Sequence, residues 1–183
     1  MRLKLFLAIA TLPFALPAAA ALAPGAKAPI FAADGAMAGQ PIKVSLKAAL
    51  KKGPVVLYFF PAAFTSGCNV EAAAFAKALP DFTAAGATVI GMTAGNTDKL
   101  IAFSSEHCAG KFAVAAASPA VVKGYDVVLT RPDGTPTTVT SRTSYVIAPN
   151  GKIIYAHTDM SPVDHIKNTL AAVQAWRKSA KKG

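Results

Sequence analysis

Cys68 is the residue with the most reactive setting in the chain. It stands in the stretch Pro61-Ala62-Ala63-Phe64-Thr65-Ser66-Gly67-Cys68-Asn69-Val70-Glu71, after an apolar run and before an alanine-rich one. Read as strand, loop and helix, this order puts Cys68 at or near a helix N-terminus. Unpaired backbone N–H groups and the positive dipole end favour a thiolate there, and the thiolate is the nucleophilic form of cysteine. Thr65, three residues earlier, can turn its hydroxyl toward the sulfur and exchange a hydrogen bond with a small oxygen substrate. Pro61 closes the strand and limits the access of water. The plain alternative for Cys68 is a buried structural thiol. One other cysteine, Cys108, lies 40 residues downstream, so the chain has at most one disulfide and no disulfide-rich scaffold.

The elements that must position Cys68 follow from patterning. Val55 to Phe60 and Thr88 to Met92 are short, continuous apolar runs, as expected of central strands buried on both faces. Between them Asn69 to Ala85 reads as a helix, with Phe75, Leu79 and Phe82 forming an apolar stripe and Gly86 as its stop. Strand, helix, strand with this crossover length is a right-handed βαβ unit. A second helix is expected from Asn96-Thr97-Asp98 to about Cys108, capped by Thr97 or Asp98. A third strand follows at Phe112 to Ala115 and a short helix at Pro119 to Tyr125. Two strands, Thr143 to Ile147 and Lys152 to His157, flank Pro149-Asn150-Gly151, a hairpin signal. A last helix is expected from Pro162 to Trp176, opened by Ser161, before a basic tail. Thr130 to Thr140 reads as an exposed loop and Ala32 to Val44 as a small N-terminal hairpin. The order resembles an α/β fold of the thioredoxin type: a central mixed sheet flanked by helices, with an N-terminal hairpin extension.

Composition narrows the partners and the compartment. The 183 residues fit one globular domain, and 53% hydrophobic with 15% charged residues excludes a disordered chain. Forty alanines supply much of that apolarity while adding little core volume. The net charge is +10, but Lys and Arg are dispersed and not interleaved with aromatics, so no nucleic-acid partner is expected. Arg2 and Lys4, the apolar run Leu5 to Leu16 and Ala18 to Ala21 read as an export signal over residues 1–23, with cleavage before Ala21 or Leu22. Leu5 to Ala26 carries no charge and is long enough for an uncleaved anchor, but Pro13 and Pro17 interrupt it. Loss of Arg2 and Lys4 takes the charge from +10 to +8. The domain expected over 24–183 then has no stable membrane insertion and resides outside the cytoplasm, with a bacterial periplasm as the expected compartment. Two cysteines there are expected to pair, either as an inert bridge or as the working part of the protein.

The residues around Cys68 resemble those of the peroxiredoxins. Pro61, Thr65 and Cys68 match that family's Pro-x-x-x-Thr-x-x-Cys motif, and Thr65 to Phe75 is similar to its bacterioferritin-comigratory (PrxQ) branch. Ala28-Pro29-Ile30-Phe31 is similar to the family's opening Ala-Pro-x-Phe, and Arg142 to Ile153 to the strand pair carrying its active-site arginine; the likeness spans roughly residues 22 to 176. The resemblance implies a thiol peroxidase. Cys68 would attack one oxygen of a hydroperoxide and become a sulfenic acid. Arg142 would stabilise negative charge on the sulfur and on the leaving oxygen, Thr65 would orient the peroxide, and Glu71 would hold the arginine. The bland readings are a surface strand-edge role for Arg142 and a solvated first-turn acid for Glu71. No cofactor is implied, because sulfur carries the redox chemistry; a thioredoxin-like reductant and a monomer or weak dimer are.

Ala73 occupies the position where many members of this branch carry a resolving cysteine. Cys108 fits members that place it on the next helix, where it would close an intramolecular disulfide. An inert Cys108 in a one-cysteine enzyme, or a static bridge, are the alternatives. His107 reads as an exposed histidine, and His157 and His165 have no metal-ligand spacing. Two rival functions remain on the same fold. Thr65-Ser66-Gly67-Cys68 occupies the place of a thioredoxin Cys-x-x-Cys, but Thr65 where the first thiol belongs argues against an exported thiol-disulfide oxidoreductase. A redox-inactive binding module is hinted at only by the alanine-rich surface.

Overall fold

The computed structural model describes residues 21–180. The expected export signal therefore lies, except for its last three residues, outside the described residues. A seven-stranded mixed sheet has the order β2-β1-β5-β4-β3-β8-β9. It is built from β1 (Ala32–Met37), β2 (Gln40–Ser45), β3 (Val55–Phe59), β4 (Thr88–Thr93), β5 (Ala113–Ala116), β8 (Thr143–Ile147) and β9 (Ile153–Thr158). β3, β4 and β5 run parallel, joined by α2 (Ser66–Ala84) and by a 3-10 turn (Thr97–Lys99) continuing into α3 (Leu100–Glu106). β8 pairs antiparallel with β3 and with β9, and the β1–β2 hairpin extends the sheet beyond β5. This is the thioredoxin-like arrangement with an N-terminal hairpin.

β3 is buried along its whole length, and its side chains alternate between two cores. Val56, Tyr58 and Phe60 face α2, α3 and α5 (Val163–Ala180), meeting Phe75, Phe82, Phe103 and Val173. Val55, Leu57 and Phe59 face the opposite layer, with α1 (Leu46–Leu50), α4 (Pro119–Gly124) and the loop residue Phe31. Helices on both faces thus bury the continuous apolar runs read from the sequence.

Several boundaries differ from expectation. Thr130 to Thr140 is not simply a loop: β6 (Val128–Thr130) and β7 (Pro136–Thr140) pair as a separate two-stranded sheet. The helix after Asn96 is shorter than expected and ends at Glu106, leaving Cys108 just beyond it; neither Thr97 nor Asp98 caps it, and Asn96 stands before the turn in the left-handed region. α2 starts earlier, at Ser66, and α5 runs four residues past Trp176, to Ala180. α2 also contains Pro80. A proline withholds the N–H that would bond the carbonyl four residues back; that carbonyl, Ala76 O, instead accepts from Lys111 Nζ at 3.2 Å.

Gly91 in β4 shows how tightly the first core is filled. A Cβ at Gly91 would lie 2.8 Å from the Tyr58 ring, which is stacked on Phe75 at 4.4 Å between centroids. The ring has no room to retreat, so Gly91→Ala is expected to destabilise by about 1–3 kcal/mol, the usual cost of overpacking. The Tyr58 hydroxyl, in contrast, is buried without a hydrogen-bond partner among the described residues. Removing that unsatisfied group in Tyr58→Phe is expected to stabilise by about 1 kcal/mol. Urea midpoints at unchanged slope check both.

Candidate active site

β3 ends at Phe59, and a loop from Phe60 to Thr65 carries the chain to the N-terminus of α2. Three bonds from the end of β4 fix this loop. Thr93 Oγ1 donates to the Pro61 carbonyl at 2.9 Å, Ala63 N–H to the Gly95 carbonyl at 3.3 Å, and Asn96 Nδ2 to the Ala63 carbonyl at 2.8 Å. Gly95 is required for the close approach, since a Cβ there would meet Pro61 O at 2.4 Å. Phe64 adopts a φ of 63°, an uncommon conformation for a bulky residue. It is held by edge-on packing against Phe103 and His107, at 5.6 and 5.2 Å between centroids.

Thr65 is the N-cap of α2, and Cys68 is the helix's third residue, only 1% exposed. The Thr65 hydroxyl does not face the sulfur as expected. It donates to the Ala62 carbonyl at 3.0 Å, because that acceptor lies within the same turn. Pro61 is half-buried at the start of the loop.

Arg142, in the connection between β7 and β8, is buried, not at a surface strand edge. Its chain position is set by the Thr140 hydroxyl donating to the Phe60 carbonyl (2.6 Å) and by Ser141 N–H donating to the Val127 carbonyl (2.8 Å). The guanidinium makes three contacts. Nη2 reaches Cys68 Sγ at 3.6 Å, Nε donates to the Met160 carbonyl at 2.9 Å, and Nη1 pairs with Glu71 Oε2. Glu71, one turn along α2 from Cys68, is fully buried and so is not a solvated first-turn acid. Burial pushes its carboxyl up to about 7, against the pull of Arg142. Gly67 leaves the guanidinium room: a Cβ there would lie 3.0 Å from Nη2.

The structure thus gathers Cys68, Arg142 and Glu71, with Pro61 and Thr65 in the adjoining loop. Cys108 lies apart from the guanidinium's contacts, in the turn after α3. It is a buried free thiol pushed up to about 12 by burial. His107 is half-buried against Phe64 and Phe103 rather than exposed. Sequence reasoning missed Thr93, Gly95, Asn96, Met160, Ser144 and His165. Only the Thr93-Ala94-Gly95-Asn96 run after an apolar strand offered a signal, as a tight polar turn.

A buried cysteine at a helix N-terminus with a guanidinium at hydrogen-bond distance can hold a thiolate and stabilise charge on a departing oxygen. Comparison with known proteins agrees with that chemistry. Residues 24–156 match the AhpC/TSA family. The chain is 30% identical over 141 residues to the chloroplastic peroxiredoxin Q of Sedum lineare, covering 76% of this chain and 72% of that one. It is 26% identical over 125 residues to peroxiredoxin Bcp of Xanthomonas campestris pv. campestris, covering 68% and 78%. Among solved structures, peroxidoxin BcpB from Mycobacterium tuberculosis superposes with a TM-score of 0.70 at 27% identity, covering 83% of this chain and 96% of that one. The chain belongs to the AhpC/TSA family and is a peroxiredoxin, an oxidoreductase of the thioredoxin-dependent peroxidase type.

Proposed function

We propose that this peroxiredoxin is an exported enzyme that reduces hydrogen peroxide and small organic hydroperoxides through Cys68 and resolves the product with Cys108. The observation that carries the reading is the guanidinium of Arg142 at 3.6 Å from Cys68 Sγ inside a closed site. In the first step the Cys68 thiolate attacks the distal peroxide oxygen. An S–O bond forms, the O–O bond breaks, and the sulfur loses two electrons. The leaving oxygen departs as hydroxide or alkoxide beside Arg142 and takes a proton to become water or an alcohol. Glu71 holds the guanidinium in place. Pro61 and Thr65 shape the entrance, with the Thr65 hydroxyl turning from Ala62 toward the peroxide when substrate enters.

In the second step the Cys108 sulfur attacks the sulfenic acid. An S–S bond forms and water leaves. A thioredoxin-like dithiol then returns both sulfurs to the reduced state. Cys108, buried and pushed up to about 12, is not a nucleophile where it stands. Resolution therefore requires one or both of the α2 start and the α3 end with its following turn to unwind. A monomer or weak dimer suffices, because both cysteines belong to one chain.

Export rests on Arg2, Lys4, the apolar run Leu5 to Leu16 and the alanines 18 to 21, with a periplasm as the compartment. Cleavage before Ala21 or Leu22 leaves the domain intact, because Leu22 N–H donates to the Tyr145 hydroxyl at 3.1 Å and Leu22 packs on the second core.

Three outcomes are expected. Cys68→Ser abolishes peroxide consumption; after one equivalent of hydrogen peroxide, intact mass shows loss of two hydrogens in the wild type and gain of one oxygen in Cys108→Ser. Residual turnover in the Cys68 variant would refute the assignment. Arg142→Gln lowers the rate constant with hydrogen peroxide by roughly 10²–10³, the range for removing a charge-stabilising donor; stopped-flow kinetics checks it. Amide exchange at residues 66–70 and 104–110 is faster in the oxidised protein than in the reduced one, and equal protection in both states counts against unwinding.

A further inference from the structure

Behind Arg142 lies a buried polar cluster of Glu71, His165 and Ser144. Glu71 spends Oε2 on the guanidinium, and its Oε1 is buried without a hydrogen-bond partner among the described residues. The group facing that oxygen is His165 Nδ1, at 3.8 Å. His165 sits in the first turn of α5 and is fully buried. Its Nε2 is 2.9 Å from the Asp159 carbonyl, and its Nδ1 is 2.8 Å from Ser144 Oγ. A carbonyl only accepts, so the ring hydrogen is on Nε2. Nδ1 is then a lone pair receiving the Ser144 hydroxyl. A carboxylate oxygen and an imine nitrogen, both acceptors, face each other with no hydrogen between them.

We propose that Glu71 and His165 hold one titratable proton between them, and that this proton sets how much of Arg142's positive charge reaches the Cys68 sulfur. His165 is thus a positioning residue, acting through Glu71 and Arg142; the inference rests on the peroxidase reading of Cys68. With the proton present, Glu71 is neutral and the guanidinium is free to balance the thiolate and the leaving oxygen. Without it, carboxylate and thiolate compete for one cation.

The surroundings decide where the proton resides. Burial lowers His165 to about 4, and His157 and Arg142 act in the same direction against the Asp159 carbonyl and its carboxylate. His157, on β9, packs edge-to-face on His165 at 4.6 Å between centroids. Asp159, exposed in the β9–α5 connection, spends a carboxylate oxygen on Ser161 N–H at 2.8 Å. Tyr58 from β3, pushed well above its usual value by burial, stays neutral, and the guanidinium stands between Glu71 and Cys68 on α2. The proton therefore rests on Glu71, and it leaves near pH 7.

The test is single-turnover oxidation of the full chain by hydrogen peroxide across about pH 5 to 9, normalised to the thiolate fraction followed by ultraviolet absorbance. The wild type is expected to lose rate per thiolate as pH rises through neutrality, and Glu71→Gln to lack that decline. In His165→Asn the amide can donate to Oε1 and favour the carboxylate, moving the decline to lower pH by about one unit. A decline that persists in Glu71→Gln, or is unmoved in His165→Asn, overturns the proposal. A second readout needs no peroxide: isotope-edited infrared titration of the reduced protein should show a protonated glutamic acid band that disappears near neutrality. The band should be absent in Glu71→Gln and disappear at lower pH in His165→Asn; a wild type without it also overturns the proposal. Failure of the wild type to consume peroxide would instead sink the peroxidase reading and leave the infrared result standing on its own.

Discussion

The positive charge of Arg142, taken out of water just before β8 at the end of the sheet's central strands, is the constraint that organises this molecule. A buried guanidinium is tolerated only when its donors are met and its charge is balanced. Each of its nitrogens is accounted for, by two segments distant in sequence: Cys68 and Glu71 from the start of α2, Met160 from the β9–α5 connection. The start of α2, the end of β7 and the entry to α5 must therefore arrive at one point. Thr140 on the Phe60 carbonyl and His165 on the Asp159 carbonyl are the bonds that bring them there.

The same convergence explains why the loop before Cys68 accepts an unfavourable backbone. Phe64 is in the left-handed region, a conformation that costs of order 1–3 kcal/mol for a non-glycine residue. It persists because Thr93, Gly95 and Asn96 pin the Pro61 and Ala63 backbone just before it, while Phe103 and His107 receive the ring. Those two residues belong to α3 and its C-cap, one step from Cys108. Closure of the Cys68 loop and burial of Cys108 are thus one packing event. Ala109 and Gly110, both at positive φ, turn the chain away immediately after it. In the proposed cycle, opening either end loosens the other.

What the sequence made legible was the part governed by short-range pattern. The apolar runs of β3 and β4, the Asn150-Gly151 hairpin and the placement of Cys68 at a helix start follow from burial and turn chemistry, and the structure has them. Arg142 and Glu71 were named through family resemblance, since 71 residues separate them and no local pattern links them. α1, with five residues, is too short for a periodicity to show. β7 reads Pro-Thr-Thr-Val-Thr, which has turn chemistry at one end and little apolar surface, so its pairing with β6 was invisible. His165 looks like any histidine on an amphipathic helix. Its neighbours, Ser144, Asp159 and Glu71, come from three other segments, and only the folded chain places them around one ring.

Glu71 and His165 also illustrate how a buried polar pair can be costly and yet silent. Glu71 rises from 4.5 to about 7, so the native chain keeps a proton that the unfolded chain loses, and its contribution to stability falls as pH climbs through that window. His165 drops from 6.5 to about 4, so the unfolded chain takes a proton that the native chain refuses, and its contribution grows as pH climbs through nearly the same range. The two slopes have opposite signs where they overlap. Burying an acid beside a base therefore removes from the wild type most of the pH dependence that either group alone would impose. A site that must hold one proton near a reactive sulfur can do so without making the fold itself hostage to acidity.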